Sequence, residues 1–500
     1  MGNLREAIKK EAAWTTTENG ADALNTTGSA CLDMFGRAGA MRQNPDSEKE
    51  IMISRAYTED PDIAVKLLFY TRDIRGGYGE KDTFKTMIRH LADINRQSVE
   101  KNIWAILEFG CAKDLYSLIG TPCEDAMWAF MQAQFDLDYA NMQDGKSVSL
   151  LAKWIATPDS KSEKTKKLGK ETAKHLGYSF KTMSEYKKKL RALRKYIDIP
   201  EAKMCAGKWD EIEYSKCSSK FLLKNRNAFK KHDGERWEEY TNNVASGEAK
   251  MNMGTVNPCE ILHKVAHNYS TDLEAMWKAL PNYCEGNALV MADTSGSMCG
   301  SRGNAVEPIE VALSLAMYFA ERCPGDLHNM FMTFSTTPAF VEMDAGNLRD
   351  NFRKAMRAPW DGSTNLERAF DLLLNTCING NVAQEDMPKA LIVISDMEIN
   401  SWGYCGGGGI LKGVADNRIT FYDAMAKKYA DAGYEMPQVV FWNVASRNAT
   451  FHASHDTKGV SLVSGYSPVV FKQVMDNIGV TPYELMLRVV TDPRYADVKA

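Results

Sequence analysis

The stretch ALVMADTSGSMCG, residues 288–300, decides the fold. Its apolar residues run from Ala288 to Ala292 without polar alternation, stop at Asp293, and give way to the hydroxyls of Thr294, Ser295 and Ser297. A short run of this kind reads as a strand buried on both faces. The carboxylate and hydroxyls then fall at the carboxyl edge of a sheet, where open α/β sheets gather their ligands.

Working outward, the same rhythm recurs. NMFMTF (329–334), KALIVIS (389–395), QVVFWNV (438–444) and SLVSG (461–465) are further apolar strands, and IEVALSLAMYFAERC, LRDNFRKAMRA and SPVVFKQVMDNI are amphipathic helices near them. Apolar strands alternating with helices predict a doubly wound, Rossmann-like α/β domain with a parallel sheet over residues 286–500.

Upstream, residues 50–285 keep a helical period. PDIAVKLLFYTRD and FKTMIRHLADI each place apolar residues on one face, and RDIRGGYGEKD between them supplies Gly76, Gly77 and Gly79 to end one helix and Asp82 to cap the next. NIWAILEFG, CAKDLYSLIG, DAMWAFMQAQFDLDYANM and SEYKKKLRALRKYI continue the series. Successive helix hairpins pack as a stacked array. The expected architecture is therefore multidomain, α plus α/β: an N-terminal segment (1–49), an all-α HEAT-like helical-repeat array (50–285), and the α/β domain (286–500).

Composition agrees with an ordinary globular chain: 500 residues, 44% hydrophobic, 25% charged. No early apolar stretch suits a signal peptide and no window approaches the ~20 residues of a membrane span, so no membrane role is expected. Met-Gly begins the chain, but Glu6 stands where a myristoylation signal needs Ser or Thr. The eleven cysteines are scattered and never form CxxC, which points to reduced thiols and a cytoplasmic location. The net charge of −4 hides an asymmetry: Lys161 to Lys231 holds 21 Lys or Arg against 8 Asp or Glu, leaving −17 for the rest of the chain.

Three loops converge on the strand ends. Asp396 follows KALIVIS as Asp293 ends ALVMA, and WDGSTNLERAF uses Gly362 and Ser363 to bring Thr364 to a loop before a helix starting near Leu366. Asp293, Ser295, Ser297, Thr364 and Asp396 make a hard oxygen set, matched to Mg²⁺ or Mn²⁺ with a position left for an incoming anion. The plain alternative is that the hydroxyls cap loops and Asp396 caps a helix.

These five positions resemble the metal-ion-dependent adhesion site of von Willebrand factor A domains. RDIRGGYGEKD in a helical array ahead of such a domain is similar to the TROVE family, typified by the Ro ribonucleoprotein, and closer still to an uncharacterised related family of cellular and viral genomes. LAKWIATPDSKSEKTKKLGKETAKHLGYSFKTMSEYKKKLRALRKYI (151–197) and KNRNAFKKHDGERWEEY (224–240) look like that family's helical blocks. The resemblance implies an array of the ring-closing kind that binds small noncoding RNA, with no catalytic step.

Basic helix faces supply phosphate contacts through counterion release. The expected RNA contacts are Lys166, Lys167, Lys170, Lys174, Lys187, Lys188, Lys189, Arg191, Arg194 and Lys195, with Arg75 as a further backbone contact. Trp154, Tyr178, Phe180, Tyr186 and Tyr196 are interleaved with them and could stack on bases, although aromatics at helical spacing are more often core.

Other motifs carry less. GGYGEK lacks the phosphate-loop pattern and joins two helices. His263 and His267 share a helix face as zinc ligands do, but no third ligand is visible in the sequence, so a packed or solvated pair is expected. Ser295 is not in GxSxG, and neither a hydrolase triad nor a metal nuclease can be assembled. The glycines Gly406 to Gly409, near Trp402 and Tyr404, read as a connector. Two functions remain: a non-enzymatic RNA-binding protein whose metal domain serves architecture or partner binding, and a protein-interaction module in which an acidic partner completes the metal site and no RNA is bound.

Overall fold

A computed structural model describes residues 12–284, 286–300, 305–343, 346–358, 364–400 and 421–500. Gly362, Ser363, Trp402, Tyr404 and Gly406 to Gly409 lie outside the described residues. The layout is an N-terminal helical array followed by a mixed-sheet α/β domain.

Among the described residues the sheet has six strands: β3 (Ala288–Asp293), β4 (Met330–Phe334), β5 (Ala339–Glu342), β6 (Ala390–Ser395), β7 (Gln438–Asn443) and β8 (Val460–Ser464). They lie in the order β5-β4-β3-β6-β7-β8, all parallel except β5, which turns back antiparallel on β4. Every residue of β3, β6 and β7 is buried, so both faces are covered. The β5 hairpin is the departure from the expected all-parallel sheet. Its four residues, Ala339–Glu342, pair at the edge and are half-exposed, so they carry little hydrophobic signal.

Strand order reverses between β3 and β6. The chain leaves β3 toward β4 and β5, then returns to the other side of β3. Ala292 pairs with Ile394 in register, so the ends of β3 and β6 open side by side at the switch point.

The array begins with helices Asp46–Glu59, Pro61–Arg72 and Lys81–Ile94. Asp60 caps the second by accepting the Ile63 N–H at 3.0 Å, with Pro61 set at its first position. NIWAILEFG forms helix Ile103–Phe109. Asn102 separates Arg96–Lys101 from Ile103–Phe109 and turns its side-chain amide to the Lys499 carbonyl at 2.5 Å.

The RDIRGGYGEKD turn is a docking point. Asp73 accepts the Arg75 N–H at 2.9 Å, the Tyr495 hydroxyl at 2.9 Å and the Arg494 guanidinium. Gly77 is required by close approach, since a Cβ there would lie 2.0 Å from the Tyr70 carbonyl oxygen. Asp82 does not cap the following helix; Glu80 occupies the cap position and gives its carboxylate to Arg42.

Residues 14–40 join the α/β domain. A hairpin of β1 (Trp14–Thr16) and β2 (Asp22–Leu24) bridges to Asn400 and Phe451, and helix Ala30–Arg37 lies on β8. Gly39 permits this seat: a Cβ there would come within 2.7 Å of Gly465 Cα. The C-terminal helix Pro482–Val490 in turn packs on Pro61–Arg72, and the buried apolar residues form one continuous cluster across the chain.

Candidate metal centre and basic helical surface

Asp293 is fully buried because its strand is. One carboxylate oxygen accepts the Ser295 N–H at 2.8 Å, closing a tight turn; the other accepts the Ser395 hydroxyl of neighbouring β6 at 2.6 Å. Ser295 and Ser297 hold their hydroxyl oxygens 3.0 Å apart. Asp396 follows β6 and accepts the Glu398 N–H at 3.2 Å, and Met397 adopts φ +67°, a left-handed conformation that turns the chain sharply there. Thr364 is buried against the same loop: its N–H donates to Asn400 Oδ1 at 3.3 Å, and the Asn400 N–H returns to its carbonyl at 3.0 Å.

The electrostatics are those of crowded, dry carboxylates. Burial, and next the Asp396 charge, push the Asp293 carboxyl up to about 7. Burial also raises Asp396, while Ser297, the Glu398 N–H and Arg447 oppose the rise. Glu398 is fully buried and raised for the same first reason. Against these groups the described residues set Arg447, whose Nε lies 3.5 Å from Asp396 Oδ2 and which also donates to the Ser297 carbonyl.

Asp396 Oδ2 is buried without a hydrogen-bond donor. A buried carboxylate oxygen with no hydrogen-bond donor, countered only by the Arg447 ion pair at 3.5 Å, beside a second carboxylate and two hydroxyls fits a hard dication, because the donors are all oxygen. Beside Ser297 opens a cavity of about 300 Å³ whose wall includes Arg42, Arg447 and Tyr466. Arg42 stacks on the Tyr466 ring at 3.7 Å.

Sequence reasoning named Asp293, Ser295, Ser297, Thr364 and Asp396, and missed Ser395, Glu398, Arg447 and the Glu18 hairpin. Ser395 and Glu398 sit within two residues of Asp396 and were visible in VISDMEIN. Arg447 stands in an irregular loop with no periodic signal. Glu18, whose N–H donates to Glu398 Oε2 at 2.7 Å, is 380 residues away in the chain.

The basic residues divide into rows and clamps. On helix Glu163–His175, Lys167, Lys170 and Lys174 follow i, i+3, i+7 spacing; on Met183–Tyr196, Lys188, Arg191 and Lys195 do the same, and all six are exposed. Lys166, Lys187 and Lys189 instead pair with Glu163, Asp159 and Glu185 at the surface. Arg194 is a clamp, donating to the carbonyls of Ala152 at 2.8 Å and Ile155 at 3.0 Å. Arg75 is exposed at its turn, away from these helices in sequence.

The aromatic residues separate similarly. Tyr178 and Tyr186 are core, packed with their centroids 5.2 Å apart and both against Phe135. Phe180 is 96% exposed, and Tyr196 is exposed with its hydroxyl on the Lys146 carbonyl. Trp154 lines a groove of about 740 Å³ whose wall also carries Lys81, Lys85, Lys113, Lys153 and Arg194. Lys113 and Lys153 hold their ammonium groups 5.0 and 5.3 Å from the Trp154 ring. Those four lysines come from three helices, so no single stretch of sequence announces the groove.

Comparison with known proteins gives the chain's relatives. A protein of Acanthamoeba polyphaga mimivirus, described as uncharacterized protein L728, is 28% identical over 518 aligned residues, covering 95% of this chain and 86% of its own. The crystal structure of the Deinococcus radiodurans Ro (RSR) protein aligns over 92% of this chain and 93% of its own, at 12% identity and a TM-score of 0.36. Residues 287–493 match a domain of unknown function, DUF7788. Residues 17–147 and 143–287 match a domain of unknown function, DUF2828, which thus takes in more than half of the 500 residues. The chain belongs to the DUF2828 family.

Proposed function

We propose that the chain is a non-enzymatic, Ro-like RNA-binding protein that holds small or structured noncoding RNA on its helical array, with a Mg²⁺- or Mn²⁺-bearing von Willebrand A-type domain for architecture or partner binding. The observation that carries the reading is the pairing of two exposed basic rows with a cationic, aromatic-walled groove on the same helical region. Lysine rows bind phosphates without reading bases, and an indole beside a groove offers a stacking surface for an unpaired base. The layout of helical array followed by a strand-end oxygen site supports the family resemblance drawn from the sequence.

For the metal, Asp293, Asp396, Ser295, Ser297 and Thr364 are the residues that would hold it, directly or through water. When bound it supplies an electrophilic position open to an anionic group. Arg42 and Arg447 on the adjacent cavity add positive charge for the same partner group, and this favours a second reading: a metal-dependent protein-interaction module without RNA binding.

One experiment separates them. The tagged protein is crosslinked to RNA in its native cell and the recovered RNA sequenced, for wild type and for Asp293→Ala with Asp396→Ala. Enrichment of discrete noncoding RNAs by both proteins supports the first reading. Background fragments alone, with protein partners lost from the double variant, establish the second.

A further inference from the structure

Away from the carboxylate site, a second set of metal-ligating side chains closes between the helical array and the α/β domain. His263 and His267 lie four residues apart on helix Pro258–Asn268, with ring centroids 4.3 Å apart. The ligand not visible in the sequence is Glu310, from the first turn of helix Pro308–Arg322, which packs against β3. Its carboxylate oxygens lie 2.9 and 3.0 Å from His263 Nδ1, and one ligand atom from each of the three residues falls within 4.8 Å of the other two.

The set is oriented. Glu310 Oε2 accepts the Glu307 N–H at 2.9 Å, which fixes the carboxylate on its helix. His267 Nδ1 stands 2.8 Å from the His263 carbonyl; a carbonyl only accepts, so Nδ1 carries the proton and Nε2 keeps its lone pair. The His263 and Glu310 side chains are each 12% exposed, whereas His267 is exposed and leaves one side open to water.

We propose that His263, His267 and Glu310 form a zinc site that staples the helical array to the α/β domain. Two imidazoles and one carboxylate suit Zn²⁺ far better than Mg²⁺, which takes oxygen ligands. Tetrahedral Zn²⁺ with ligands at about 2.0–2.1 Å needs ligand atoms ~3.3 Å apart. On binding, Zn²⁺ would replace the proton between His263 Nδ1 and Glu310, and the exposed His267 ring would turn off the His263 carbonyl to reach the ion. The site shares no residue with the Asp293 group and stands whether or not RNA is bound.

The test uses full-length protein, stripped with EDTA, returned to excess Mg²⁺, and titrated with Zn²⁺ by calorimetry and with Co²⁺ by visible absorption. Wild type takes up one equivalent, with a tetrahedral cobalt spectrum and a raised Tm. His267→Ala keeps the zinc-free Tm yet weakens uptake by ~10-fold or more, and Glu310→Gln lowers it in the same direction. Asp293→Ala leaves zinc uptake unchanged. No stoichiometric uptake by wild type, or equal uptake by His267→Ala, overturns the proposal. So does loss on His175→Ala, which disables the separate Glu124, Glu171 and His175 group instead.

Discussion

Asp293 and Asp396 are buried carboxylates, and the charge of Asp396 raises Asp293. The Asp293 carboxyl is pushed up to about 7 from an ordinary value near 4, so its contribution to stability is full at low pH and is lost as pH rises through about 7. A bound dication reverses this, because it favours the ionised pair. The Mg²⁺-induced rise in Tm is therefore expected to grow between pH 5.5 and pH 8, and Asp293→Asn should abolish it while raising the metal-free Tm at pH 8, by ~3 kcal/mol or less of added stability. Differential scanning calorimetry at both pH values checks this; a metal increment independent of pH contradicts it. His452 works in the opposite direction. Burial lowers its imidazole to about 4, with the Nε2–H on the Met397 carbonyl at 3.0 Å, so its contribution is complete above ~6.5 and is lost as pH falls toward 4. His452→Gln should flatten the acid limb of the stability curve by ~2–3 kcal/mol at pH 4. At this scale the sequence exposed Asp293 and Asp396 as strand-end carboxylates because short-range order places them: a carboxylate at a strand end is one residue from its strand. Arg447 was illegible because its position comes only from the folded loop.

Secondary elements show the same division. Uniformly apolar runs such as ALIVIS are legible because burial on both faces leaves one solution, whereas β1, β2 and β5 have three or four residues each and are set by their partners. The helix of NIWAILEFG was readable from Asn102 onward, but the hydrogen bond of Asn102 to Lys499 was not, because its partner lies at the far end of the chain. The glycines of the 76–79 turn end a helix, and Gly76 also leaves room for Asp73 to receive Arg494, since a Cβ there would lie 2.9 Å from Asp73 Oδ2. Gly77→Ala forces a Cβ against the Tyr70 carbonyl and should lower stability by ~2–4 kcal/mol, with the C-terminal helix Pro482–Val490 losing hydrogen-exchange protection first. Unchanged protection there would separate the turn from the C-terminal dock.

On the scale of the molecule, the ends of the chain hold its halves together. Helix Ala30–Arg37 covers β8, and Pro482–Val490 returns to the array, so helical surface and strand-end site sit on one continuous core. The change from helices to buried strands was readable from periodicity; this interlocking was not, since it depends on contacts about 400 residues apart such as Gly39 with Ser464 and Gly465. The basic tract was readable as charge, but only the fold divides it into exposed rows, surface ion pairs and the Arg194 clamp, and only the fold adds Lys81, Lys85, Lys113 and Lys153 to the groove. The most direct measurement is the affinity of the full-length protein for a structured noncoding RNA with a single-stranded end, taken from 50 to 300 mM salt, for wild type and for the variant with Lys167, Lys170, Lys174, Lys188, Arg191 and Lys195 changed to Glu. Logarithmic affinity should fall linearly with logarithmic salt, with a slope steeper than about −3, and charge reversal should weaken binding by ~100-fold or more at the lowest salt. Affinity that ignores both salt and the six substitutions would contradict RNA binding by the helical surface.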